Sequence, residues 1–163
     1  MDTDRQTNYQ VRMLNRNEWA TAINLAWRIF LQFEAPEYSE KGIRSFRDFI
    51  EDPRLKRMFI KGQYLAFGAF DGNKLVGMAG VRNESHISLL FVDEKYHKKG
   101  IGNALLQYVF EYVGAFGINR FTVNAAPYAT GFYHKVGFLD DDKEVVADGI
   151  RFTPMHLVRN QGV

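Results

Sequence analysis

Lys98-Lys99-Gly100-Ile101-Gly102-Asn103 brings two cations and two glycines together where an apolar run, Ile87 and Leu89 to Val92, gives way to helical spacing. A helix N-terminus leaves its first N–H groups unpaired and carries roughly half a positive charge. Glycine there lets the backbone approach a ligand with no side chain between them. With two lysines beside it, the junction has the chemistry of an anion site, whose usual occupant bears phosphate. A solvated basic turn would carry the same residues. Two familiar phosphate loops are excluded by spacing. A Walker loop needs GxxxxGK followed by Ser or Thr, and the chain has no such string. A dinucleotide fingerprint needs a small residue where Leu105 stands, and an acidic residue about twenty positions later, yet none lies between Glu111 and Asp140.

Other chemistry-bearing residues are sparse. There is no cysteine, so disulfides, thiolate metal sites and a cysteine nucleophile are ruled out. His134 and His156 lack the spacing of a metal pair, and no metal site is expected. Ser85-His86 has no nucleophile-elbow sequence around it. The run Asp140 to Asp142 reads as a solvated turn. Tyr133 falls on the apolar side of a short helix with Phe132, and composition alone reads it as a core tyrosine.

The elements that must position these residues follow from periodicity. A short strand fits Tyr9 to Met13, and Asn15 with Glu18 has capping-box spacing. Trp19, Ile23, Trp27, Phe30 and Leu31 form a helical stripe directed at a core, ending near Glu34 because Pro36 disfavours helix at Ala35. Ser39 caps a second helix carrying Ile43, Phe46, Phe49 and Ile50, stopped before Pro53. Tyr64–Phe70 and Lys74–Val81 are strands joined across Asp71-Gly72-Asn73. His86–Val92 is a third, apolar enough to be covered on both faces. Ile101, Ala104, Leu105, Tyr108, Val109, Tyr112 and Val113 mark the next helix. Arg120–Val123 is a strand, Pro127 opens a short helix closed by Gly137, and Glu144–Ala147 and Arg151–Val158 are strands turning at Asp148-Gly149. This is an α+β order.

At 163 residues the chain fits a single domain, 1–163. Hydrophobic residues at 46% and charged residues at 25% are ordinary for a soluble protein. A net charge of +2 without a basic run argues against nucleic acid. No apolar stretch reaches the roughly 20 residues of a membrane span, and the polar start MDTDRQTNYQ lacks a signal-peptide core. A cytoplasmic protein is expected. The 15% aromatic content points to a thick core or an aromatic-lined pocket.

ISLLFVDEKYHKKGIGNALLQYVF resembles the coenzyme A-binding segment of the GNAT superfamily of acetyl-CoA-dependent N-acetyltransferases. Gly100 and Gly102 fall on the family pattern Gln/Arg-x-x-Gly-x-Gly/Ala, with Val92 before it and Leu105-Leu106 after it; His97 stands at the Gln/Arg place. A second segment, VNAAPYATGFYHKVGF, is similar through Ala129, Tyr133, Lys135, Gly137 and Phe138, with Ala126 where asparagine is frequent and Asn124 nearby. The resemblance implies a mostly antiparallel sheet flanked by helices, with a splayed strand pair that takes the pantetheine arm of acetyl-CoA. Phe91 and Val92 would offer that strand edge and a backbone donor for the acyl oxygen. His97, Lys98, Lys99, Gly100, Ile101, Gly102 and Asn103 would wrap the pyrophosphate, with Asn124 and Phe132 as further coenzyme contacts. Tyr133 would be the general acid, and Glu34 a candidate base in the acceptor region, with Glu84, His86 or a water chain as alternatives. The implied reaction moves acetyl to a small-molecule or peptide amine by direct attack, in a monomer or homodimer. A non-catalytic acyl-CoA sensor and a transferase using longer acyl groups stay open.

Overall fold

The computed structural model describes residues 9–160; the polar N-terminal stretch 1–8 and residues 161–163 lie outside the described residues. The strands are β1 (Gln10–Met13), β2 (Leu65–Asp71), β3 (Lys74–Arg82), β4 (His86–Val92), β5 (Arg120–Ala125), β6 (Leu139–Asp140), β7 (Val145–Ala147) and β8 (Ile150–Val158). The helices are α1 (Trp19–Phe33), α2 (Glu40–Glu51), α3 (Pro53–Ile60), α4 (Ile101–Gly114) and α5 (Thr130–Val136). Strand order is β1-β2-β3-β4-β5-β8-β6, with β7 on β8. All pairs are antiparallel except β4–β5. The α+β expectation holds, and so does the splayed pair: β4 and β5 meet only at His86–Thr122 and Ile87–Val123.

A β-bulge explains where they part. Across β3, Gly80 faces Leu89 and Val81 faces Ile87, so Ser88 has no opposite residue. An extra residue bends and twists its strand, and here it also reverses which side chains face which layer. Ile87 packs with α4, whereas Leu89 and Phe91 pack with the α1–α3 layer. The Tyr64 hydroxyl lies 2.7 Å from Ser88 Oγ. A Cβ at Gly80 would overlap that phenol, so the bare position opposite the bulge makes room for its brace.

Both sheet faces are covered. On one side, α4 presents Ile101, Leu105, Leu106, Val109 and Val113 to the sheet. On the other, aromatic rings fill the layer: Phe30 stacks on Phe46 at 3.9 Å and Trp19 on Phe59 at 4.8 Å. The buried face of α1 is Trp19, Ala22, Leu25, Ala26, Ile29 and Phe30. Leu31, expected in that stripe, is exposed, because a row of large residues four apart drifts around a helix of 3.6 residues per turn. The second helix stops before Pro53 as expected, but a further helix that the sequence reading lacked follows at once. Pro53 begins α3, where its missing N–H costs nothing, and Asp52 Oδ1 accepts from Arg54 N at 2.9 Å as the cap. The short edge strand β6 has no counterpart in the sequence reading.

The β7–β8 turn docks on the start of α2. Asp148 and Gly149 both take positive φ, at 54° and 77°. The Ser39 amide donates to Gly149 O at 3.3 Å, while Ser39 Oγ caps Gly42 N at 3.2 Å. A Cβ on Gly42 would overlap the Gly149 main chain. Gly42→Ala should therefore destabilise the protein by roughly 2 kcal/mol, since both clashing partners are backbone. Gly131→Ala, where a Cβ meets nothing within 4 Å, should be neutral or stabilise by up to about 1 kcal/mol. Urea unfolding followed through buried Trp19 measures both, and equal midpoints for the two variants would refute the docking argument.

Candidate active site

The loop from β4 to α4 is held by a buried carboxylate. Asp93 is 5% exposed. Its Oδ1 accepts from Lys95 N at 2.9 Å, and Oδ2 accepts from Arg28 Nη2 of α1 at 2.9 Å. Burial alone would raise this carboxyl; the Lys95 amide and Arg28 reverse that and hold it below its ordinary value. The second arm of Arg28 reaches Glu94 at 2.6 Å. Neither Asp93 nor Arg28 was marked by the sequence, because they stand far apart along the chain and form no motif.

Beyond this anchor the backbone alternates. Lys98 has φ 62° and Gly100 φ 79°, the handedness that turns successive N–H groups into one concavity. The first hydrogen bond of α4 runs from Ala104 N to Gly100 O at 2.9 Å. Among the described residues, the amides from Lys98 to Asn103 have no backbone acceptor. The expected loop residues are thus brought together as a row of donors. Gly100 has open space where a Cβ would stand. A Cβ on Gly102 would press on the Phe132 ring at 3.3 Å, so Phe132 packs against the helix start. Lys98, Lys99 and Asn103 are exposed, while the Ile101 side chain is buried and leaves only its amide to the loop.

His97, at the start of this loop, is held by protein contacts. Its Nε2 donates to Val92 O at 2.7 Å, and its ring meets Phe33 at 4.9 Å. A carbonyl only accepts, so the proton sits on Nε2 and the imidazole ties the loop to the end of β4.

Between the diverging β4 and β5 lies a cleft of about 340 Å³. Ser88 to Phe91 form one wall, Asn124 to Ala126 the other, and Glu34 and Tyr133 close it. The Phe91 side chain is buried against Phe46 at 5.8 Å, which leaves its main chain to the cleft side. Past Ile87 the β4 backbone has no strand partner on this side. Tyr133 is 4% exposed; among the described residues its hydroxyl has no hydrogen-bond partner. Burial, and then the Glu34 charge, drive this phenol above its ordinary pKa, so it stays protonated. Burial, and secondarily Glu37, push the Glu34 carboxyl up to about 7.

At the other end His86 Nδ1 lies 2.8 Å from Thr122 Oγ1, and burial followed by Arg82 lowers its pKa. Glu84 is exposed on the β3–β4 turn with φ 72° and does not line the cleft. Tyr38, Ser45, Phe46 and Phe49 from α2 and its approach, Arg82 at the end of β3, and Asp148, Ile150 and Phe152 from the β7–β8 turn and β8 also line it. The sequence signalled none of these as site residues; the helical and strand periodicity of the apolar ones reads only as packing. No group of three or more His, Asp or Glu among the described residues could hold a metal, and no helix among them is long and apolar enough to cross a membrane.

A protein of Bacillus subtilis (strain 168) named as an acetyltransferase is 31% identical over 85 residues. That stretch is 50% of this chain and 58% of the relative, so the match spans little more than half the relative's length. Among solved structures, a GCN5-related N-acetyltransferase from Rhodopseudomonas palustris is 23% identical with a TM-score of 0.79, covering 92% of this chain and 95% of that one. The PaiA N-acetyltransferase of Thermoplasma acidophilum, solved in complex with coenzyme A, is 24% identical with a TM-score of 0.78, covering 93% and 99%. At such identities the likeness establishes the fold. The sequence profile of the acetyltransferase (GNAT) domain matches residues 34–159, and on that match the chain belongs to the GNAT acetyltransferase family.

Proposed function

We propose that residues 1–163 act as one N-acetyltransferase domain that transfers acetyl from acetyl-CoA to a primary amine by direct attack. The observation that carries this reading is the meeting of a protonated phenol, Tyr133, and a carboxyl raised to about 7, Glu34, in a cleft along the open edge of β4, the strand whose far end leads into a row of unpaired amides. The residues fit the coenzyme: the amides from Lys98 to Asn103 suit a diphosphate, and the open edge of β4 suits an amide-bearing pantetheine arm. The solved relative from Thermoplasma with coenzyme A supports the same assignment.

Acetyl-CoA supplies a thioester carbonyl and a thiolate leaving group. Glu34 takes a proton from the incoming ammonium, directly or through a water, leaving a neutral nitrogen nucleophile. A backbone N–H of β4 on the side facing away from β3, past Ile87, supplies the donor for the carbonyl oxygen as charge develops there. As the C–N bond forms and the C–S bond breaks, Tyr133 donates its phenolic proton to sulfur, and the second proton, shed by the nitrogen as it becomes an amide, returns to the phenolate directly or through a water. The absence of cysteine supports one-step transfer over a thioester on the protein.

Tyr133→Phe should lower kcat about 100-fold while leaving the Kd for coenzyme A within about twofold. Thiol release at saturating coenzyme, with calorimetry for binding, measures the split; unchanged kcat would refute the acid role.

Glu34 is active as its carboxylate, so kcat/KM should fall as pH drops below about 7. Glu34→Gln should abolish that acidic limb and lower the plateau about 100-fold. Stability moves the other way. The folded carboxyl holds its proton between its ordinary 4.5 and about 7 while the unfolded one does not, so folding stability declines as pH rises through that window. At pH 8 Glu34→Gln should therefore be more stable than the parent, by on the order of 2 kcal/mol. Thermal unfolding at pH 5 and 8 checks this, and an equal melting shift at both pH values would contradict it.

A further inference from the structure

We infer that the acceptor is an amine carrying a carboxylate on an apolar or aromatic body, with Arg82 as the residue that receives the carboxylate; this rests on the acetyl-transfer reading above. Arg82 is the single lysine or arginine lining the cleft. It closes β3 opposite His86, the first residue of β4. The amide row begins past the other end of that seven-residue strand, roughly 20 Å away at about 3.3 Å per residue. The coenzyme's phosphates are met there, so Arg82 is a second positive site that the coenzyme diphosphate does not reach.

Its charge is not neutralised within the protein. Among the described residues Arg82 makes no ion pair and no side-chain hydrogen bond. Its guanidinium lies 5.9 Å from the centroid of the Phe49 ring, an arrangement that steadies the cation and leaves its donors unspent. The neighbouring imidazole of His86 registers the field, being lowered by burial first and Arg82 second.

The cleft that Arg82 shares with Glu34 and Tyr133 is also lined by Tyr38, Phe46, Phe49 and Phe152. Such walls select an apolar or ring-bearing body by area. The lining carboxylates are too few for a polycation. Asp148 is paired with Lys41 at 3.5 Å, and Glu34 is needed for the proton. A polyamine would also place a positive group beside Arg82, a repulsion that turns the same residue into a discriminator. One end of the acceptor thus carries the reacting nitrogen and the other an anion.

The test uses the full chain with acetyl-CoA and a panel of L-phenylalanine, leucyl-phenylalanine, the C-terminal amides of both, and spermidine. The carboxylate forms should be preferred over their amides by at least tenfold in kcat/KM, expressed mainly in KM, with spermidine poorest. Arg82→Gln should collapse the acid-to-amide ratio towards one, and Arg82→Lys should restore part of it. Calorimetry with coenzyme A confirms that each variant is folded and still binds. Equal use of acid and amide, or a preference for spermidine, by protein that binds coenzyme A would overturn the acceptor inference and leave the transferase reading standing. Absence of coenzyme A binding by the parent protein would overturn both.

Discussion

A strand inside a sheet must satisfy its backbone on both sides, and β4 does so for two residues only. Past Ile87 its outer edge has no partner in β5, and the residues from Ser88 to Phe91 border a cleft. Buried N–H and C=O groups without partners are costly enough that a fold keeps them only where something else supplies the bonds. The other features near the cleft are consistent with preserving that opening. The bulge at Ser88 bends β4, the Tyr64–Ser88 hydrogen bond holds the bend, and Gly80 leaves room for the phenol. Beyond the split, β5 recovers a full ladder on β8, so the sheet stays continuous around the gap.

The two ends of β4 are fastened by unlike means. At its end, the His97 imidazole binds the Val92 carbonyl and the Asp93 carboxylate takes Arg28 from α1. Those contacts fix the direction in which α4 starts, and therefore where its unpaired amides converge. At its beginning, parallel pairing with β5 and the His86–Thr122 contact close the cleft. Between these fastenings the cleft is lined largely by apolar and aromatic side chains, with Glu34 and Tyr133 among them.

Local rules made much of this legible. Ser39 capping, the Asp148-Gly149 turn and the Gly137 cap each depend on neighbours within a few residues, and each forms as expected. The glycine-rich loop was legible for the same reason, since helix start and amide row are one local object. The stripe through Leu31 failed because large apolar residues were followed and the alanines at 22 and 26, which carry the close packing, were not. The bulge left only a serine in an apolar run. The tie from His97 to the Val92 carbonyl was not legible, because that partner is brought to the imidazole by the fold. Asp93, Arg28 and the aromatic cleft walls are products of tertiary approach, and no spacing along the chain encodes them.

In the proposed reaction, the pairing of Glu34 with Tyr133 would make the cleft an asymmetric proton site. Both groups are raised by burial, but they ionise to like charges and oppose one another. When Glu34 gives up its proton near neutrality, its charge makes ionisation of the phenol harder still. On that proposal one member would serve as the acceptor of protons and the other as the donor, over the same range of pH. The division needs no further charged residue, only two acids of different strength in one desolvated space. It would fail if the cleft were wet, because solvent would screen the repulsion and return both groups towards their ordinary values. The aromatic layer of α1 and α2 over this end of the cleft therefore has an electrostatic consequence as well as a packing one.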